Sequence, residues 1–120
     1  MNDINRNFSS SNEYSEKSFI GIFHEQNEWD DNEYFKLEEA IYKEARNLAN
    51  ETNIPKDIAW PIIKIYSYLM MSLGCQYDSN DGFEIKNITR EQFIERRERL
   101  QLVFEGYFNG EMPNKEYLGY

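Results

Sequence analysis

The sequence has one cysteine, Cys75, and one histidine, His24, among its 120 residues. A lone thiol excludes an intramolecular disulfide. A thiolate or imidazole metal site needs several such ligands at defined spacing, and these two lie in different segments. Glycine is scarce, with six in the chain. No Gly-rich phosphate loop, nucleophile elbow or paired-glycine fingerprint is present. Basic residues are also few. Thirteen Lys and Arg stand against 22 Asp and Glu, giving a net charge of −9. A surface of that sign repels a phosphate backbone, which argues against direct nucleic-acid binding. It attracts a basic partner and speeds its approach. The N-terminus lacks a basic start followed by an apolar core, so it does not read as a signal peptide and the expected location is cytoplasmic. No apolar run reaches the ~20 residues that span a bilayer, so no membrane role is expected. No cofactor is expected either.

What the chain does have is aromatic and aliphatic bulk. Hydrophobic residues make up 40% and aromatics 16%, with nine Tyr and eight Phe. That is enough for one core, and the length allows one domain. Residues 1–17, MNDINRNFSSSNEYSEK, are polar and rich in Asn and Ser. They are expected to form a mobile tail ahead of a single globular domain over 18–120.

The stretch from Asp57 to Cys75 organises the domain. Ile58, Ile62, Ile65, Tyr66, Leu69 and Leu73 recur at the spacing of one helix face. Pro61 inside that pattern predicts a kink or an offset start. Ahead of it, Tyr34, Leu37, Ile41, Ala45 and Leu48 form a second stripe, with Asp31 or Asn32 as its N-cap. A third helix opens on Thr89-Arg90-Glu91-Gln92, which fits the capping box, and is buried along Phe93, Leu100, Phe104 and Tyr107. Ile94 and Val103 lie beside that stripe. The fold class expected is mainly α, a small bundle of three principal helices near 33–51, 55–74 and 89–109. A short ordered element at 18–24, SFIGIFH, precedes them. Its six or seven residues do not distinguish strand from helix. If it is a strand, it could pair with Phe83–Lys86, and the alternative is a small α+β domain.

Chemistry is sparsely signalled. His24 and Glu25 are adjacent, and neighbouring side chains do not face each other on a helix or strand. The turn Asp78-Ser79-Asn80-Asp81-Gly82 resembles the start of a calcium loop, but its twelfth position is Thr89 where a Glu is required. Arg96, Arg97 and Arg99 form a small basic patch, expected to balance Glu91, Glu95 and Glu98 on the same helix. Glu95 and Arg99 are four apart and expected to pair. The poor inventory of acids, bases and nucleophiles argues for a non-enzyme. A carboxylate-based enzyme using Glu25 and Asp30 is one alternative, and an adaptor that binds a helical partner is another.

The strongest candidate surface is acidic and aromatic. Trp29 and Tyr34 flank Asp30, Asp31 and Glu33, which combines interface-type rings with charge for a basic partner. Asp78 and Asp81 form a second candidate patch. The competing expectation is that Trp29 plugs the edge of the core beside a solvated helix start.

In size, charge and aromatic content along its whole length, the chain resembles a bacterial immunity protein. Such proteins neutralise a cognate toxin in contact-dependent inhibition or bacteriocin systems. The resemblance implies a small, acidic, cytosolic and enzymatically inert inhibitor. Its implied partner is a basic toxin domain, plausibly a nuclease. It rests on overall profile rather than on a motif and carries over no site residue.

Overall fold

The apolar spacing of Ile62, Ile65, Leu69 and Leu73 is realised as the buried face of a single helix. A computed structural model describes residues 2–75 and 85–119. Among the described residues, five α-helices follow in chain order: α1 (Asp3–Asn7), α2 (Phe19–Gln26), α3 (Asp31–Asn47), α4 (Lys56–Cys75) and α5 (Arg90–Asn109). A 3-10 turn, Lys115–Tyr117, comes last. Among the described residues there is no strand, and SFIGIFH lies in α2, so the α+β alternative is not supported. The expected turn at Asp81-Gly82 and the start of the expected strand at Phe83 lie outside the described residues.

The three long helices lie close to their expected positions. α4 runs as one element through Pro61, with no separate start at that residue. The proline ring removes the bond that the Asp57 carbonyl would otherwise accept. α5 begins with the expected capping box. The Gln92 N–H donates to the Thr89 hydroxyl at 3.2 Å, and the Thr89 N–H donates to Gln92 Oε1 at 2.9 Å. It ends at Gly110, whose φ of 86° is left-handed and suits a residue without a Cβ. α3 is capped one residue earlier than expected, by Asp30, whose carboxylate accepts from the Glu33 N–H at 2.9 Å.

Contacts between α3 and α5 run in the same order along both. Asp31 meets Arg96, Glu38 meets Arg99, and Tyr42 donates to the Pro113 carbonyl just past α5. These two helices therefore lie side by side in parallel. Tyr66 of α4 stacks on Phe104 of α5 at 5.2 Å between ring centroids. Leu37, Ile41, Leu69, Leu73, Leu100 and Phe104, from α3, α4 and α5, are all fully buried in one core cluster. Full burial of each such side chain stabilises the fold by roughly 1.5–3 kcal/mol.

The polar N-terminal stretch, expected to be a tail, is placed against this bundle. α1 packs on α3, α4 and α2, and Ile4 joins the core. Asn7 is buried and spans two helices. Its amide donates to the Asp3 carbonyl at 2.6 Å, and its Oδ1 accepts from the Ile20 N–H at 2.8 Å. It thus satisfies a free donor at the start of α2. Ser18 satisfies another, accepting from the Gly21 N–H at 3.1 Å. Gly21 is required by proximity, because a Cβ there would lie 2.5 Å from the Glu16 backbone.

Candidate functional site

The residues from Trp29 to Tyr34 sit at the corner between α2 and α3, and the fold uses most of them internally. Asn27, in the left-handed conformation, ends α2 and turns the chain. Its carbonyl accepts from the Lys86 N–H at 2.8 Å. The Asn87 side chain clamps the next step, accepting from the Trp29 N–H and donating to the Trp29 carbonyl, both at 2.8 Å. The indole is thereby turned inward. Trp29 is 2% exposed, edge-on to Phe19 at 4.8 Å and against Tyr34 at 5.4 Å. Tyr34 is fully buried and donates to Glu38 Oε1 at 3.1 Å. Neither ring has a face to offer a partner. Of the two readings of Trp29, the structure matches the core plug.

The three acids of the patch have structural partners as well. Asp30 caps α3. Asp31 takes a two-pronged contact from Arg96, at 3.2 Å from Nε and 3.1 Å from Nη2, while staying partly open to water. Glu33 accepts from Lys36 at 2.8 Å and Arg6 at 3.0 Å. Burial pushes its carboxyl up, but these two cations outweigh burial and hold it below the ordinary range. Asp78 and Asp81 lie outside the described residues.

Two arginines of the expected basic patch, Arg96 and Arg99, pair with α3 rather than with the glutamates of their own helix, contrary to expectation. Arg99 is buried and grips Glu38 of α3, with Nε–Oε1 and Nη2–Oε2 both 2.8 Å. Arg96 is buried against Asp31. A guanidinium fork suits such two-point contact with a carboxylate. Glu95 therefore does not pair with Arg99. Glu91, Glu95 and Glu98 are exposed and make no salt bridge among the described residues. Ile94, expected beside the buried stripe, is 47% exposed among them. Leu102 and Phe108 are exposed on the same outer side. Sequence reasoning missed this side of α5. The readable signal was an excess of apolar residues over what one stripe requires.

Of the concavities near these elements, two involve α4. One of about 460 Å³ is bounded by the N-terminal segment, α2 and α4, with Tyr14, Ile20, His24, Lys64, Tyr68 and Met71 on its walls. His24 Nδ1 lies 2.9 Å from the Tyr68 hydroxyl. Burial pushes the phenols of Tyr14 and Tyr68 up. His24 and Glu25 come only to 3.9 Å and are both more than half exposed, so they form no tight acid–base couple. The other, a shallow groove of about 520 Å³, runs between α4 and α5. Among the described residues, no group of three His, Cys, Asp or Glu is placed to hold a metal ion. Nor is any helix long and apolar enough to cross a membrane.

A small helical fold of this kind serves many functions, so the sequence family decides between them. The profile of the family described as Immunity protein 41 matches residues 6–116. The chain belongs to the Immunity protein 41 family. No curated protein and no solved structure matches it. The immunity-family match takes in α2 through α5 and most of the N-terminal segment, so it covers both the α2–α3 corner and the outer side of α5.

Proposed function

We propose that this member of an immunity family acts by binding a basic toxin domain and blocking it, with a nuclease as the toxin class that fits best. The observation that carries the reading is the family match over nearly the whole chain, joined to a net charge of −9. A nuclease must attract phosphate and therefore presents basic surface, which an acidic inhibitor meets with complementary charge. Family membership and the thin acid–base inventory both support an inhibitor over a catalyst. The reading puts the protein in the cytoplasm with the nucleic acid it protects.

At the α2–α3 corner, Asp30 and Asp31 contribute negative field, and Trp29, Glu33 and Tyr34 hold that corner in place. Asp78 and Asp81 are the second contributor. Residues 1–17 act with 18–120 as one unit.

The test is co-expression with the toxin domain encoded beside this chain's gene. The expected result is restored growth, a stoichiometric complex on size-exclusion chromatography with light scattering, and loss of nucleic-acid cleavage at equimolar inhibitor. Growth arrest that the chain does not relieve, with no complex formed, overturns the reading. Turnover of a small molecule by the chain alone would support the enzyme alternative instead.

A further inference from the structure

We propose that the outer side of α5 is the surface that docks the toxin, a basic protein face carrying Lys or Arg around an apolar contact. The inference rests on the inhibitor reading above and names where it happens. Three observations on the same helix side carry it.

The first is a row of carboxylates. Glu91, Glu95, Glu98 and Glu105 all point outward and exposed. Over those positions the helix rises about 21 Å at ~1.5 Å per residue. The second is where the cations went. Arg96 and Arg99, which could have neutralised this row, are buried against Asp31 and Glu38 of α3. Among the described residues, Glu105 accepts a neutral contact, from the Gln101 amide at 3.0 Å. Arg90, exposed, and Arg97, half-buried, are the other cations of α5, so its outer side keeps an excess of negative charge for a partner to neutralise.

The third is exposed apolar area in the same place. Among the described residues, seven large hydrophobic side chains are exposed, and three of them, Ile94, Leu102 and Phe108, are on this side of α5. Exposed apolar side chains gathered together rather than scattered mark an interaction surface. Phe108 also borders the shallow groove with α4, where Ile63, Tyr66 and Phe104 supply an apolar floor and Glu105 a charged rim. Acidic rim and apolar centre together match what a basic face with an aliphatic or aromatic contact requires.

The test uses full-length chain and the toxin domain encoded beside its gene, by interferometry at two salt concentrations. Glu91→Gln/Glu98→Gln/Glu105→Gln should slow association by about tenfold or more at low salt, and by less at high salt. Ile94→Ser/Leu102→Ser should speed dissociation by about tenfold or more. A control, Glu13→Gln/Glu16→Gln/Glu51→Gln, removes the same charge elsewhere and should bind nearly as wild type. Thermal melts of all variants should match wild type, since every altered side chain is exposed. If wild type binds and both α5 variants bind as tightly, this surface is wrong while the inhibitor reading stands. If wild type forms no complex, the inhibitor reading fails and this inference falls with it. A free chain that is dimeric in sedimentation, and monomeric as Ile94→Ser/Leu102→Ser, would assign the face to a second copy and overturn the proposal.

Discussion

Tyr107 carries a buried hydroxyl with no hydrogen-bond partner among the described residues. Desolvating such a group without compensation costs about 1–3 kcal/mol, while an apolar group of the same shape avoids the cost. Tyr107→Phe should therefore match or exceed wild-type stability in urea unfolding at neutral pH. The phenol also has a pH signature. Burial, helped by the nearby charge of Glu44, pushes it up to about 12. An unfolded tyrosine ionises near ~10. As pH rises past 10 the unfolded chain releases its proton first, so this residue's contribution to stability is lost from pH 10 through 12. Tyr107→Phe should show a shallower decline in unfolding free energy between pH 9 and 11 than wild type. An identical decline would place the phenol's ionisation elsewhere.

Between α3 and α5, the contact depends on a buried ion pair. Glu38 and Arg99 side chains are 3% and 7% exposed. Removing one partner leaves the other charged and buried, which costs about 3–5 kcal/mol. Arg99→Leu should lower the melting temperature sharply, and Glu38→Leu/Arg99→Leu should recover much of the loss. A double variant as unstable as the single would show that packing, not the stranded carboxylate, sets the cost. The N-terminal segment gives a second expectation. With Ile4 in the core and Asn7 capping α2, deletion of residues 2–17 should destabilise the domain in the same melt, whereas loss of a solvated tail would change nothing. The long helices were legible because their signals are local: a three-and-four apolar stripe for α4, a capping box for α5. The α2–α3 corner was not. Whether Trp29 points in or out is decided by Asn87, 58 positions away, and by Phe19, neither of which a local reading can bring together. The role of Asn7, within the stretch expected to be a tail, is hidden for the same reason, since it depends on Ile20, 13 residues on. The corner's acids bear on any binding test too: Lys at Asp30 and Asp31 would remove a helix cap and an ion pair along with surface charge.

At the scale of the whole molecule, the net charge of −9 is distributed by the fold rather than averaged over it. Arg6, Arg96 and Arg99 pair with Glu33, Asp31 and Glu38 in the seams between helices. Each pair is neutral, so the whole net charge of −9 is carried by the groups outside these seams. On the proposed reading of a basic partner, association with the toxin should slow as salt rises from 0.05 to 0.5 M, because screening shortens the reach of exposed charges from over ~10 Å to a few ångströms. Dissociation should change far less. Stopped-flow mixing at several ionic strengths reads both, and an association rate indifferent to salt would remove electrostatic steering from the mechanism.

The welded seam between α3 and α5 has a consequence over generations. Its two guanidinium–carboxylate forks and the apolar side chains behind them fix the helix from within. The outward Glu91, Glu95 and Glu98 make no ion pair among the described residues that holds it there. An inhibitor constructed this way can exchange its outward residues one at a time, following a toxin that mutates to escape, without the fold having to be reinvented at each step.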